Sequence, residues 1–500
     1  MSAPSVRLDE LMPTQARGPV PALEITGLAY DSRQVRSGTL FFCIPGAQHD
    51  GHDFAAQAIG AGAAALVVER PLELDVPQIQ VPSVRAAMAA LAARFYGDPS
   101  QRLRVVGVTG TNGKTTTAYI VRALIEAGGE QCGLLGTVKS VIAGAERPAV
   151  RTTPEAIELQ RDLRAMLDGG DQACAIEVSS HALALGRSSH IHFAAAIFTN
   201  LTQDHLDFHQ DMEDYFAAKR TLFLPDQPGR PPALSVINID DPYGRRLAGE
   251  LERPLSVAID SDADYRARLL EIGHEQTQIE LDTPDCKERL TLALPGRFNV
   301  YNALGALAAV HGSGADIQPL LAALEQGVSV PGRMEAVREG QDFTVLVDYA
   351  HTPDSLANVL AAARELTHRR VILVFGAGGD RDRGKRPLMG QIAARDADLA
   401  IVTSDNPRSE DPEAIIAEIM AGMPPVTRPP GAPVQAITDR RGAIERAVEL
   451  AGPGDVLVIA GKGHEQGQEL AGAVKLPFDD VSVVREALHG SQTQQNRAPA

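Results

Sequence analysis

The chain has 500 residues, too many for a single hydrophobic core and suited to about three domains. Its 47 basic and 64 acidic residues leave a formal net charge of −17, which excludes a general nucleic-acid surface but not a cleft in which a few focused cations bind small anions. No apolar run reaches the roughly 18 to 20 residues of a membrane span, and Met1 to Gly18 has no charged-then-apolar signal pattern, so the expected location is the cytoplasm.

Residues 1–100 read as a small α/β unit. Strands are expected at Ala22–Ile25, Thr39–Ile44 and Ala64–Val68, and helices at Phe54–Gly62 and Val84–Tyr96. The turn Asp31-Ser32-Arg33 is ordinary turn chemistry when read alone. Gly97-Asp98-Pro99-Ser100 marks a boundary. Cys43, Cys132, Cys174 and Cys286 stand far apart in no metal-binding spacing, and read as buried, reduced thiols.

Residues 101–333 read as a parallel-sheet nucleotide-binding domain. The apolar run Val105–Val108 empties into Thr109-Gly110-Thr111-Asn112-Gly113-Lys114-Thr115-Thr116, which opens a helix. Strand, glycine-rich turn and helix aim backbone N–H groups and a helix N-terminus at phosphate. Lys114 then reaches the β/γ-phosphates and Thr115 ligates Mg²⁺. The competing reading is a plain βα turn. The strict phosphate-loop spacing is not met, because Val108 stands where a glycine is usual.

Further strands are expected at Gly133–Thr137, Ala173–Val178, Ala194–Asn200 and Leu234–Asn238, with a helix over Glu155–Leu167. Polar clusters fall at the strand ends, where ligands bind in such sheets. Thr152 and Thr153 either cap a helix or hold a phosphate or sugar oxygen. Glu177, in Glu177-Val178-Ser179-Ser180-His181, can ligate Mg²⁺. Asp204, His205, Asp207 and His209 share one loop, a density of ionisable groups that favours a site. Tyr215–Phe223 reads as an amphipathic helix with Lys219 at a solvated end. Residues 240–290 read as irregular, with strand-like pieces; a helix carrying Asn302 follows, and Val330-Pro331-Gly332-Arg333 reads as a hinge.

Residues 334–500 read as a second open α/β sheet, Rossmann-like in layout, with strands at Thr344–Asp348, Val371–Phe375, Leu399–Thr403 and Val456–Ala460. Polar motifs again follow the strands. Gly376–Arg386, which includes Arg381, is a glycine turn loaded with cations and suited to anionic groups, but its glycines do not match a dinucleotide fingerprint. Ser404-Asp405-Asn406-Pro407-Arg408 and Gly461-Lys462-Gly463-His464-Glu465 complete the set. The proline-rich 423–433 stretch reads as a surface loop, and the tail from Gly490 as disordered.

The Gly-Thr-Asn-Gly-Lys-Thr-Thr loop and about seven further motifs, in order along nearly the whole chain, resemble the Mur ligase family and, more distantly, its folylpolyglutamate synthetase relatives. The resemblance implies an ATP-dependent enzyme that joins an amine to a carboxylate. It implies a UDP-binding first domain, with Ser32, Arg33, Thr152, Thr153, Ser179 and Arg187 on a UDP-muramoyl-dipeptide. Leu185 replaces a polar neighbour of that set. It implies Gly110, Thr111, Asn112, Gly113, Lys114, Thr115, Thr116, Asn302, Arg333 and Asp348 on ATP. Lys114, His205 and Lys219 are then the catalytic residues, with Thr115, Glu177, His205 and Lys219 at Mg²⁺ and Lys219 carrying a CO₂-derived carbamate. The Asp-Asn-Pro-Arg form of the turn implies meso-diaminopimelate as the added amino acid, held by Arg381, Asp405, Asn406, Pro407, Arg408, Gly461 and Glu465. A monomer with small-molecule partners is expected. The alternatives are the L-lysine-adding relative, a folate-polyglutamylating ligase and a non-catalytic nucleotide switch. The first differs by one substrate carboxylate, the second lacks the UDP-binding domain, and the third needs neither Lys219, His205 nor Arg408.

Overall fold

The computed structural model describes residues 5–12, 21–46, 49–224, 230–273, 276–423 and 434–495. All but Met423 of the proline-rich stretch lies outside them. Three main sheets follow one another along the chain. The first has four parallel strands, Gly27–Ala29, Thr39–Phe42, Ala63–Val68 and Gln78–Gln80. The helix Val84–Phe95 packs it against the central unit: Val84, Met88 and Leu91 share a buried cluster with Ala156 and Ile157 at the start of the helix Ala156–Asp168.

The central sheet has eleven strands. Its parallel core runs Cys132–Leu135, Ala173–Glu177, Arg104–Thr109, Phe193–Phe198, Leu234–Asn238, Leu255–Ala258, Tyr265–Ile272, with antiparallel strands added at both edges. The phosphate-loop strand sits in the middle and is buried from Val105 onward, so Val105–Val108 carry no polar side chain, as a covered parallel strand requires. The segment read as irregular, 240–290, is regular: a helix at Pro242–Glu250, then Leu255–Ala258, Tyr265–Ile272, Thr277–Asp282 and Lys287–Leu292. In the last two strands buried and exposed residues alternate or only the end is covered, so no apolar run announces them.

The third sheet orders Glu335–Val337, Thr344–Asp348, Val456–Ala460, Val371–Phe375, Leu399–Val402, Gln435–Ala436, parallel except for the first pair. The four strands expected there are present within a residue. The helix Asp480–Gln495, whose Val483, Val484 and Leu488 are buried against this sheet's second face, carries on through 490–495, where disorder was expected, and 496–500 lie outside the described residues. The helix read as Tyr215–Phe223 spans Met212–Arg220, capped by Asp211. Cys43, Cys132 and Cys174 are buried free thiols, whereas Cys286 is only partly covered. No helix among the described residues is long and apolar enough to cross a membrane.

Candidate active site

The phosphate loop is built by steric necessity. Gly113 has φ +84° and caps the helix Lys114–Ala127; a β-carbon there would lie 2.3 Å from Asn302 Oδ1. Gly110 has φ +149°, and its β-carbon would meet Thr199 Oγ1 at 1.9 Å. Lys114 Nζ bends onto the loop carbonyls of Gly110 and Thr111, at 2.9 and 2.7 Å. Burial lowers its pKa, Arg333 adds to the effect, and Glu177 and Asp204 oppose it.

One cleft gathers residues from several strand ends and from the third sheet: Thr111–Thr116, Thr137, Thr152, Glu177, Ser179, Asp204, His205, Lys219, Arg333 and Tyr349. Glu177, buried at its strand end, accepts from Thr115 Oγ1 at 2.9 Å, Thr137 Oγ1 at 3.0 Å and Thr137 N at 2.7 Å. Arg333 donates to Thr115 Oγ1 at 3.1 Å and lies 4.6 Å over the Tyr349 ring. The donors near Thr115 are hard oxygens, and no cluster of three or more His, Cys, Asp or Glu able to hold a metal exists among the described residues. That combination fits Mg²⁺, which takes one or two carboxylates and completes its shell with phosphate oxygens and water.

Lys219 is not a solvated helix end. It is 1 % exposed, its Nζ donates to Gly110 O at 2.8 Å and it sits 4.6 Å from the Tyr215 ring centre. Burial drives its pKa well below the ordinary lysine value, and the charge of Lys114 adds to this against Asp204. A lysine so placed is held toward its neutral, nucleophilic form. The acidic and histidine-rich loop divides. Asp204 and His205 face the cleft, 3.4 Å apart, with His205 in the left-handed region at φ +56°. Burial lowers His205 to about 3 despite Asp204. His209 turns away, to pack at 5.0 Å on Tyr215 and pair with Asp214 at 3.2 Å, and Asp207 lines no part of the cleft.

A second, adjoining cleft holds Asn112, Gly113, Thr116, Phe298, Tyr301, Asn302, Arg333 and Asp348. Its Phe298 and Tyr301 supply flat apolar surface beside Asn299 and Asn302 amides, a lining suited to a purine. Asp348 is pushed up by burial, against Arg333, and accepts from Met334 N at 2.8 Å. Asn112 Nδ2 reaches Asp354 Oδ2 at 2.5 Å, tying the phosphate loop to the third sheet's helix Pro353–Glu365.

The third group meets beside the first cleft. Thr153 Oγ1 donates to Glu177 O at 2.7 Å and lies 3.4 Å from Ser179 Oγ; Thr152 Oγ1 lies 3.1 Å from Thr137 Oγ1. Arg187 is 2.9 Å from Glu155 and donates to Thr153 O at 3.3 Å. Ser32 and Arg33 stand apart on the first unit, Ser32 donating to Gln57 at 3.0 Å and the mostly exposed Arg33 paired with Asp31 at 2.6 Å. The fourth group lies beyond the strand ends of the third sheet. Asn406 Nδ2 donates to Glu465 Oε2 at 2.8 Å, and buried Asp405 receives Gly461 closely. Arg408, at φ +52°, donates to Gly379 O at 2.8 Å and Glu469 Oε2 at 2.9 Å; it and Arg381 both flank Gly378, and Pro407 packs on Gly379.

Three contributors escaped the sequence reading: Thr137, Asp354 and Lys462. Thr137 ended an expected strand and Lys462 stood in a glycine-rich motif, while Asp354 opens a helix, and nothing local distinguished any of them from its neighbours.

A phosphate loop at the strand ends of the central sheet, met by residues of the third sheet, with a buried lysine and a strand-end carboxylate beside it, is the layout of a Mur ligase, and the chain belongs to that family. The family descriptions "Mur ligase family, catalytic domain", "Mur ligase middle domain" and "Mur ligase, glutamate ligase domain" match residues 24–96, 108–310 and 332–463. The chain is 47% identical over 470 residues to the UDP-N-acetylmuramoyl-L-alanyl-D-glutamate--2,6-diaminopimelate ligase of Syntrophomonas wolfei, covering 93% of this chain and 95% of the relative. The same-named ligase of Geobacillus thermodenitrificans is 47% identical over 471 residues, with 93% and 95% covered. A solved structure of a ligase with that name superposes with a TM-score of 0.70 at 34% identity, covering 98% of this chain and 99% of the other.

Proposed function

We propose that this Mur ligase adds meso-diaminopimelate to UDP-N-acetylmuramoyl-L-alanyl-D-glutamate, at the expense of ATP, in peptidoglycan precursor synthesis. The observation that carries the choice of amino acid is the meeting of buried Asp405 and Asn406, on the same turn as the cation Arg408, with the partly exposed Glu465 of a second loop. Carboxylates for an ammonium and a guanidinium for a distal carboxylate answer the two ends of a diamino dicarboxylic acid. L-lysine lacks the carboxylate that Arg408 would grip.

In this reading residues 1–100 take the uracil end of the acceptor through Ser32 and Arg33. Residues 101–333 bind ATP, with Asn302 toward the adenine and the phosphate loop on the triphosphate, and Asp348 of the last domain reaches toward the ribose. Residues 334–500 bind the amino acid. Thr152, Thr153, Ser179 and Arg187 hold the dipeptide so that its free side-chain carboxylate lies beside the γ-phosphate. A carboxylate oxygen attacks that phosphorus, the bond to the ADP oxygen breaks, and an acyl phosphate forms. The amine of the diamino acid then adds to the carbonyl carbon, phosphate leaves, and the nitrogen gives up a proton. Lys114 is placed to offset charge on the transferring phosphoryl oxygens. Thr115, Glu177 and Lys219, the last as its carbamate, are the residues that would hold Mg²⁺, with His205 beside them; bound there, the ion neutralises phosphoryl charge. Arg333, joined to Thr115 from the hinge, couples domain closure to an assembled phosphate site. The protein acts in this reading as a cytoplasmic monomer on small-molecule substrates.

The test is ligation by the purified full chain with UDP-muramoyl-dipeptide and ATP, supplied with meso-diaminopimelate or L-lysine in parallel. Amide product and ADP in equal amounts with the first only is the expected result. Equal use of L-lysine would return the lysine-adding relative as the better reading, and ATP turnover with no amide would return the nucleotide switch.

A further inference from the structure

Lys462 is left without a task by the scheme above. It is fully buried, 0 % exposed, so it does not touch a ligand without the site rearranging. Its Nζ donates to Asn406 Oδ1 at 2.7 Å and lies 3.3 Å from both Asp405 Oδ1 and Glu465 Oε2. Asn406 passes the contact on through Nδ2 to Glu465 at 2.8 Å, and its Oδ1 also accepts from Glu469 N at 2.9 Å. One ammonium thus ties together three side chains contributed by two separate loops.

The other buried cation nearby is already matched. Arg440 forms a two-pronged pair with Asp480, at 2.8 and 2.7 Å, and both side chains are fully buried. Lys462 is therefore the counter-charge for Asp405 and Glu465. With two carboxylates and one ammonium, the cluster keeps a single net negative charge. Without that cation the two neighbouring carboxylates would repel each other, and their positions relative to a substrate ammonium would no longer be fixed. Asp405 Oδ1 is buried and faces the Lys462 ammonium at 3.3 Å.

We propose that Lys462 is a positioning residue for the ammonium-recognising half of the amino-acid site: it fixes Asp405, Asn406 and Glu465 relative to one another and sets their joint charge to match one substrate ammonium. This rests on the amino-acid reading given above. It assigns Lys462 to recognition of the second, non-reacting amine, and leaves the distal carboxylate to Arg408.

The experiment is steady-state kinetics of the full-length Lys462→Met variant with ATP, acceptor and either meso-diaminopimelate or 2-aminopimelate. The latter keeps a reacting amine and both carboxylates but lacks the second amine. The KM for meso-diaminopimelate should rise at least about tenfold, the loss expected for a charge-assisted contact. The kcat at saturation and the KM values for ATP and acceptor should stay within about twofold of the wild type. The preference for the diamino acid over 2-aminopimelate should shrink by the same factor. Equal rises in KM for both amino acids, or a fall in kcat with KM unchanged, would mean that Lys462 only holds the fold, and would overturn the proposal. Should Lys462→Met not fold, Lys462→Gln keeps a donor for Asn406 without the charge, and a preference as strong as the wild type's would equally overturn it. A wild-type protein that ligates no diamino acid would sink the parent reading and this inference together; a working wild type with no such split would sink this inference alone.

Discussion

Replacing Lys219 by Ala separates the chemistry at the phosphate site from nucleotide binding. The side chain is 1 % exposed and its Nζ has one acceptor, Gly110 O at 2.8 Å. That carbonyl also receives Lys114 Nζ at 2.9 Å, so the substitution leaves no orphaned acceptor. The substitution removes the buried Cγ, Cδ and Cε methylenes, worth roughly 0.8 kcal/mol each, and relief of a desolvated amine offsets part of that. The net loss of stability should be about 1 to 2 kcal/mol, a shift of a few degrees in Tm. The loss in turnover should be far larger, about 10²- to 10³-fold, because a fixed anion at the metal position is removed from the phosphoryl-transfer step. ATP affinity should hardly change, since Lys114, Thr115 and the purine-side residues are untouched. Coupled ADP release, equilibrium ATP binding and a melting curve measure the three quantities. Short carboxylic acids, small enough for the vacated pocket, should restore part of the rate. Wild-type turnover by Lys219→Ala in CO₂-free buffer would refute the carbamate role, and a parallel collapse of ATP binding would refute the division between chemistry and binding.

Lys114→Ala should abolish acyl phosphate formation, read by hydroxylamine trapping, while acceptor binding stays within about twofold because Thr152, Thr153, Ser179 and Arg187 lie outside the phosphate loop; equal loss of both would contradict that separation. Arg408→Ala should raise the KM for meso-diaminopimelate about a hundredfold, the equivalent of roughly 3 kcal/mol for a lost two-pronged carboxylate contact, with the KM for ATP unchanged. Asp240, which accepts from the cleft residue Tyr301, supplies a pH test of stability. Burial pushes its carboxyl up, but the N–H groups of Asp260 and Ile259 and the Tyr301 hydroxyl outweigh this and hold it at about 2, below the ordinary 3.8. A depressed carboxylate stabilises the fold fully above its unfolded value and loses that contribution as pH falls through the folded one. The stability gap between wild type and Asp240→Asn should hold from neutral pH to about 4 and close toward about 2; a gap undiminished at the acid end would refute the assignment.

Local physics wrote the phosphate loop plainly. Val105–Val108 is apolar because a central parallel strand is covered on both faces, and Gly110 and Gly113 are glycine because Thr199 and Asn302 leave no room for a β-carbon. Strand, turn and helix are all short-range, so the sequence carried that unit, and the strand starts of the third sheet, within a residue or two. The strands between 265 and 292 were legible only as strand-like pieces because their buried residues are interleaved with charged ones that face water. The tail helix went unread because its apolar positions gain meaning only from the sheet face that they cover.

What the tertiary structure alone decided is where the charges lie. Lys219 reads as the solvated end of an amphipathic helix, and nothing within that helix says otherwise. Its burial comes from Gly110, 109 residues earlier, and from the sheet that carries both. Lys462 reads as one polar residue of a glycine-rich turn until folding sets it against Asn406, 56 residues away. Sequence periodicity reports which face of an element is apolar, a property of neighbours along the chain. The environment of a single ionisable group, and hence its protonation and its chemistry, is fixed by groups that meet it across space.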